Sequence, residues 1–113
     1  MNDLVIIDTE TTGLNHTYHQ VIEVAGVKVK NGVIKDTYSS LISIAGDIPT
    51  MITQITGITK ADLNKYGRKP EDVFSEVRNF IGESTFVAHN VYFDYRFLNA
   101  EFSRLQIPEM KRP

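Results

Sequence analysis

The sequence contains no cysteine, no long apolar run and no excess of positive charge. Without cysteine it has neither disulfides nor thiolate metal ligands, which is typical of a reducing compartment. No apolar run approaches the ~20 residues that span a membrane, and the acidic start at Asp3 lacks the basic region of a signal peptide. A formal net charge of −2 excludes a polycationic surface, so any contact with nucleic acid has to be local. We therefore expect a soluble, cytoplasmic protein without membrane contacts.

The length of the chain is that of one domain. It has 113 residues, of which 42% are hydrophobic, and this is enough for a core. The sequence shows no internal repeat, no low-complexity tract and no linker. We therefore expect residues 1–113 to belong to a single domain.

An uninterrupted apolar run, residues 4–7, leads directly into Asp8-Thr9-Glu10. Such a run is typical of a strand buried on both faces, so we predict a central strand. Side chains alternate along a strand, and Asp8 and Glu10 therefore point to the same face. Because two like charges at a buried strand end repel each other, a hard divalent cation such as Mg²⁺ or Mn²⁺ is an economical counter-charge. For so short a motif taken alone, a solvated strand end is the more frequent explanation.

The segment after this strand predicts a β-hairpin. Residues 21–30 and 33–41 have β-type patterns, and Asn31-Gly32 between them suits a type I′ turn, in which both central residues need positive φ. Together with the first strand they form a three-stranded antiparallel meander. His16 and His19, in the polar turn before the hairpin, are interpreted as solvated turn residues rather than metal ligands.

The second half of the chain predicts helices and one further strand. Short helices follow Pro49 and Thr59, and an amphipathic helix begins at Pro70. Residues 85–88 predict a strand parallel to the first one, and residues 91–105 a helix that carries Asp94 on its buried face. Asp94 is either a cap or ion-pair partner, or the third acid of an oxygen cluster with Asp8 and Glu10. The second explanation is favoured by the tendency of ligand sites to lie at the carboxyl ends of parallel strands.

Three segments resemble those of a known family: Asp8-Thr9-Glu10-Thr11-Thr12-Gly13-Leu14, Thr56-Gly57-Ile58-Thr59 and Ala88-His89-Asn90-Val91-Tyr92-Phe93-Asp94. They are similar to the first two exonuclease motifs of the DEDD superfamily, especially its 3′–5′ proofreading exonucleases of bacterial DNA polymerase III. The resemblance covers nearly the whole chain, with the segments in order. It implies an α/β, ribonuclease H-like fold, in which the antiparallel meander is joined by parallel strands and flanking helices, with the last strand and helix missing.

The same resemblance implies roles for individual residues. The catalytic, metal-binding acids would be Asp8, Glu10 and Asp94, which would hold two divalent ions, Mg²⁺ or Mn²⁺. Contacts to the terminal nucleotide would come from Thr9, Thr11, Thr12, Gly13, Leu14, Gly57, Ile58, Asn90 and Phe93, although Phe93 could equally pack its own helix.

The activity implied by the resemblance is removal of nucleoside monophosphates from a single-stranded or frayed DNA 3′ end. The partner would be a DNA polymerase III catalytic subunit or polymerase domain. RNA is an alternative substrate, because the motifs are shared with ribonucleases.

The sequence departs from the family after Asp94. The family's third motif, His-x4-Asp, supplies a general base and a fourth metal ligand, but no His or Asp follows Asp94. One interpretation is that these residues are the N-terminal two-thirds of a longer exonuclease domain. Another is a shortened relative that binds a 3′ end or docks on a polymerase without turnover. A third is a structural α/β domain whose acids are coincidental.

Overall fold

The computed structural model describes residues 3–111, and in this part of the chain one four-stranded sheet is combined with four helices. The strands are β1 (Leu4–Thr11), β2 (Val21–Lys30), β3 (Val33–Leu41) and β4 (Thr85–Val87). The helices are α1 (Thr50–Thr56), α2 (Lys60–Tyr66), α3 (Pro70–Ile81) and α4 (Val91–Arg104). The order of the strands across the sheet is β3-β2-β1-β4. The predicted α/β class and element order are confirmed.

β1 lies inside the sheet with a neighbour on each side. It pairs antiparallel with β2 and parallel with β4. β2 and β3 pair antiparallel around Asn31-Gly32, whose φ angles are 52° and 76°. These positive values are what a type I′ turn requires. The structure therefore confirms the meander, the hairpin turn and the added parallel strand.

The helices begin and end at the residues that local signals predict. Pro49 precedes α1, and Gly57 ends it in the left-handed region with φ 79°. At the start of α2, the Thr59 hydroxyl accepts the Asp62 backbone N–H at 3.0 Å, and the Asp62 carboxylate accepts the Thr59 N–H at 2.9 Å. Pro70 occupies the first turn of α3. None of the helices in residues 3–111 is long and apolar enough to cross a membrane.

The main core lies between one face of the sheet and the helices α3 and α4. Its buried members come from β1, β2, β4, both helices, the residue after β3 and the segment after α4: Val5, Ile7, Val21, Val24, Ile42, Val73, Phe74, Val77, Ile81, Phe86, Phe97, Leu98, Phe102 and Met110. Burial of one such side chain contributes about 1.5–3 kcal/mol. This layer therefore holds the sheet and the two long helices together, and we call its side of the sheet the covered face.

The prediction that β1 is buried on both faces is wrong for one of them. Leu4 and Ile6 are 37% and 43% exposed, whereas the alternating Val5 and Ile7 are 0% and 2% exposed. The physical reason is that α3 and α4 both pack on the covered face. Within residues 3–111, Leu4 and Ile6 belong to neither hydrophobic cluster. We call their side the open face; along β1 it continues from Leu4 and Ile6 to Asp8 and Glu10.

Candidate metal and nucleic-acid site

The carboxyl end of β1 carries acids on the open face and threonines on the covered face. Asp8 is exposed and Glu10 half-buried, while Thr9 between them is buried. This alternation confirms that Asp8 and Glu10 share a face. On β2, Ala25 lies opposite Asp8 and Glu23 lies opposite Glu10. A third carboxylate therefore accompanies the predicted pair on the open face.

Asp94 reaches the same strand from its covered side. It lies in the first turn of α4, which begins shortly after β4 ends, and it is 4% exposed. The Thr9 hydroxyl donates a hydrogen bond to Asp94 Oδ1 at 2.5 Å. Because Thr9 lies between Asp8 and Glu10 along β1, this bond brings Asp94 close enough for its charge to interact with both predicted ligands.

The carboxylates influence one another's protonation. Burial, followed by the charges of Asp8, Glu23 and Asp94, raises the pKa of Glu10. Burial and the charge of Asp8 raise the pKa of Glu23. Burial also raises the pKa of Asp94, as does Asp8, although the Thr9 hydrogen bond acts in the opposite direction. The end of β1 is therefore a negative pole whose acids interact across both faces of the sheet.

Glu23 is the member of this group that sequence reasoning missed. It lies in β2 within the Val-Ile-Glu-Val-Ala segment, which has no motif of its own. Its place opposite Glu10 depends on the register between β1 and β2, and an irregularity in that register falls between Glu10 and Thr11. The sequence between the strands contains no signal that sets this register. The only available hint was an acid in a strand predicted to neighbour β1.

The donor chemistry of these acids fits a hard divalent cation, whereas their geometry is not that of a closed metal site. Carboxylate oxygens are the ligands that Mg²⁺ and Mn²⁺ prefer. The two ion pairs found in residues 3–111, Arg68–Glu76 and Arg104–Glu101, do not involve them, so no neighbouring cationic side chain neutralises the pole by direct pairing there. Within the same residues, however, no group of three His, Cys, Asp or Glu side chains is arranged to hold an ion. The expected three-acid cluster is therefore present as electrostatic neighbours and not as a formed ligand set.

The loop after β1, residues 12–20, is folded by its own polar groups. The Thr11 hydroxyl donates to the Gly13 carbonyl at 2.6 Å. Thr12 donates its N–H to the Gln20 carbonyl at 2.9 Å, and its hydroxyl accepts the Gln20 N–H at 3.0 Å. Both threonines are buried, whereas Leu14 is 86% exposed. The loop therefore presents Leu14 to solvent, and Thr11 and Thr12 fix its shape.

The other predicted nucleotide contacts differ in exposure. Gly57 ends α1, but Ile58 is only 8% exposed and packs with Ile22 and Leu63 in a second hydrophobic cluster. The predicted contact of Ile58 with the terminal nucleotide stays a prediction, and it would have to be made by backbone atoms, because the Ile58 side chain buries α2 against β2.

The two nucleotide contacts predicted near the start of α4 also differ in exposure. Asn90 is exposed at the N-cap of α4. The Phe93 ring is half-buried and lies 4.7 Å from the Phe97 ring, measured between centroids. The Phe93 ring therefore packs against its own helix, and only part of its surface is exposed to solvent.

The two histidines of the loop are not simply solvated, as the sequence had suggested. The His16 ring contacts Phe97 edge-on, with centroids 6.2 Å apart. His19 Nδ1 accepts the backbone N–H of Asn15 at 3.0 Å. In the described part of the chain neither histidine belongs to a group suited to metal binding.

Fold and site together define an acid-bearing α/β domain of the ribonuclease H-like class. Solved structures of E. coli exonuclease I share the fold: the complex with a dT13 oligonucleotide has a TM-score of 0.84 at 16% identity, over 95% of this chain and 25% of that one. The apo form of exonuclease I gives the same TM-score at 18% identity, over 95% and 26% of the two chains. A sequence profile of the family described as "Exonuclease" matches residues 5–113. The chain belongs to this exonuclease family.

Similar proteins include the PolC-type DNA polymerase III of Halalkalibacterium halodurans, which is 40% identical over 112 residues. The PolC-type DNA polymerase III of Thermotoga maritima is 38% identical over 109 residues. The matches cover 99% and 96% of this chain but 8% of each relative. The chain thus spans less than a tenth of the length of these polymerases.

Proposed function

We propose that this chain is part of a metal-dependent 3′–5′ exonuclease that removes nucleoside monophosphates from DNA 3′ ends. The observation that carries the proposal is the negative pole at the end of β1. There Asp8 and Glu10 share the open face, and Asp94 is held beside them by the Thr9 hydroxyl. Membership of the exonuclease family supports this use of the acids.

Asp8, Glu10 and Asp94 are proposed to hold two divalent ions, Mg²⁺ or Mn²⁺. When bound, such a pair stabilises charge on the attacking and leaving oxygens of a phosphodiester and supplies hydroxide near neutral pH. The Thr9 hydrogen bond orients the Asp94 carboxylate and favours its charged form. Because the charge of Asp8 raises the pKa of Glu10 and of Asp94, a bound cation would relieve this repulsion.

The terminal nucleotide is proposed to lie against the loop after β1. The exposed Leu14 offers an apolar surface to a base, and the backbone around Gly13 offers hydrogen-bonding groups. Thr9, Thr11 and Thr12 act by shaping this segment, since all three side chains are buried. Gly57, Asn90 and the exposed part of Phe93 are further proposed contacts. Stacking and local polar contacts of this kind bind a single-stranded end without a basic groove.

The proposed partner is the remainder of a replicative DNA polymerase in the cytoplasm. It is suggested by relatives that are PolC-type DNA polymerase III proteins. We further propose that residues 1–113 act as part of one exonuclease domain. Residues 95–113 contain neither His nor Asp and therefore lack the His-x4-Asp pair of the family's third motif. A positioned general base contributes typically ~10²–10⁴-fold, so these residues alone should turn over slowly.

The test is Mn²⁺-dependent shortening of a single-stranded DNA oligomer labelled at its 5′ end. It is run on these 113 residues and on a version extended along the same gene by about sixty residues, which stays within the usual size of one domain. We expect a ladder of 3′-shortened products from the extended version. The ladder should vanish in Asp8→Ala and persist in Asp47→Ala, a matched control in which an exposed acid remote from β1 in sequence is removed.

Two outcomes would change the proposal. If neither version shortens the oligomer although both bind Mn²⁺ and DNA, the domain is a 3′-end-binding module without turnover. Preference for an RNA oligomer of the same sequence would instead replace DNA by RNA as the substrate.

A further inference from the structure

His19 and Gly13 lie against each other inside the loop after β1. A Cβ atom added to Gly13 would lie 2.5 Å from His19 Cε1 and Nε2, and 2.6 Å from Cδ2. Real Cβ atoms do not approach other atoms this closely. The φ of Gly13 is not in the left-handed region. The imidazole ring, and not the backbone conformation, therefore leaves no room for a side chain at position 13 while His19 keeps its place.

The same ring makes a polar contact with the part of the loop that follows Leu14. His19 Nδ1 accepts the Asn15 backbone N–H at 3.0 Å, and the backbone N–H of His19 donates to the Asn15 carbonyl at 2.8 Å. A nitrogen that accepts a hydrogen bond carries no proton, so the ring is neutral with its proton on Nε2. His19 thus contacts the residues on both sides of Leu14, namely Gly13 by packing and Asn15 by two hydrogen bonds.

The Leu14 side chain packs very little against the rest of the domain. It is 86% exposed and belongs to neither hydrophobic cluster of residues 3–111. An exposed leucine on a free loop would lose conformational entropy on meeting a ligand. A loop that already holds it in one place removes part of this cost.

We propose that His19 is a positioning residue for nucleotide binding: its neutral ring fixes Gly13 and Asn15, and thereby presents Leu14 to the terminal base. This inference rests on the proposed function, because it assigns Leu14 to the nucleotide. The ring and its acceptor nitrogen act separately. The ring fills the space beside Gly13, and Nδ1 holds the backbone of Asn15.

Three substitutions separate these contributions. His19→Phe keeps an aromatic ring beside Gly13 and removes the acceptor. His19→Asn keeps an acceptor near the Nδ1 position and removes most of the ring, and His19→Ala removes both. Thr17→Ala is the matched control, because Thr17 is exposed in the same loop and is bonded there through its backbone N–H to the Asn15 side chain.

The measurement is the Kd of a 5′-labelled DNA oligomer, followed by fluorescence anisotropy in Mn²⁺. A phosphorothioate at the terminal linkage limits cleavage. Loss of a hydrogen bond and its ordering effect predicts that His19→Ala raises the Kd about threefold to tenfold. His19→Asn and His19→Phe should fall between His19→Ala and the unsubstituted chain, and Thr17→Ala should not change the Kd. In the extended version the effect should appear in KM with kcat unchanged, whereas partial unfolding would lower the apparent kcat.

A reciprocal test uses the close approach itself. Gly13→Ala introduces the clash with the ring and should weaken binding, while Gly13→Ala combined with His19→Ala should bind better than Gly13→Ala alone. The inference is overturned if the unsubstituted chain binds the oligomer and His19→Ala binds it equally well. If the unsubstituted chain does not bind the oligomer at all, the proposed function fails and the inference falls with it. In that case the nitrogen chemical shifts of His19 would still report whether Nδ1 accepts the Asn15 N–H.

Discussion

The two faces of β1 differ in character although their residues alternate along one strand. The covered face holds Val5 and Ile7, which are almost completely buried against α3 and α4. The open face holds Leu4, Ile6 and then the acids. Stability is therefore concentrated on one side of the strand and the proposed chemistry on the other. Charges that would be costly in the core are accommodated because the open face stays in contact with water.

Thr9 connects the two faces. Its side chain is directed to the covered face, yet it bonds to Asp94, whose charge interacts with Asp8 and Glu10. A short polar residue at this position lets a helix on the covered side bring an acid close enough for its charge to interact with the acids of the open face. Substitutions can test how far the two faces are independent.

The largest expected effect is on the covered face. Phe74→Ala removes a fully buried ring that lies edge-on to Phe102, with centroids 6.2 Å apart. We expect a loss of ~3–5 kcal/mol in the free energy of unfolding, because a cavity remains in the core. Urea denaturation measures it. Ile6→Ala on the open face is the comparison and should cost about 1 kcal/mol or less; equal losses would show that the open face is covered too.

The next effect concerns the open face and appears only with metal. Mn²⁺ at about 100 times its Kd should add ~2.7 kcal/mol to the free energy of unfolding if it binds the folded chain alone. Asp8→Ala should abolish this gain, and Asp47→Ala should keep it. Isothermal calorimetry and thermal denaturation with and without Mn²⁺ measure both. Unchanged Mn²⁺ binding in Asp8→Ala would reject the two-metal assignment.

A smaller effect tests the connection between the faces. Thr9→Val keeps the shape of the side chain but removes the hydroxyl that donates to Asp94. A buried carboxylate then loses a hydrogen bond, which should cost ~1.5–3 kcal/mol in urea denaturation. Thr9→Ser retains the hydroxyl and should recover most of the loss. If Thr9→Val is as stable as the unsubstituted chain, the hydrogen bond to Asp94 does not stabilise the fold.

The smallest effect is the pH dependence of stability. The pKa values of Glu10, Glu23 and Asp94 are raised in the folded chain, so between the ordinary and raised values the folded state binds more protons than the unfolded state. These acids therefore stabilise the fold most at low pH, and their contribution decreases as the pH rises through the raised values.

Melting temperatures across this pH range measure that decrease. In Asp8→Asn the loss of stability with rising pH should be smaller, since the charge of Asp8 raises all three pKa values. Bound Mn²⁺ should reduce it as well. A decrease that is the same in Asp8→Asn would assign the three shifts to burial alone.

Much of the fold was predictable because its signals are local. The positive φ values of Asn31 and Gly32, the capping box of Thr59 with Asp62, and the ends of α1 and α3 depend on residues within a few positions of each other. The shared face of Asp8 and Glu10 follows from strand geometry alone. The resemblance to an exonuclease family also rested on short contiguous segments, and the family match agrees with it.

Other features were missed because they depend on contacts between distant parts of the chain. The burial of Ile58 depends on Ile22 and Leu63. The contact of His19 with Gly13 depends on how the loop closes, and the pairing of Glu23 with Glu10 depends on strand register. The open face of β1 depends on both long helices packing on the opposite side. None of these is expressed in a local pattern.

Local signals in the sequence set the elements, their order, the hairpin and the two acids of β1, since propensity, turn chemistry and alternation act over a few residues. Long-range packing places Asp94 against Thr9 and Glu23 opposite Glu10, and it leaves the acids of β1 and β2 on an open face. Hydrophobic burial selects which faces meet, and it depends on the whole chain at once. The acids at the end of β1 have raised pKa values because this packing buries them and brings their charges together.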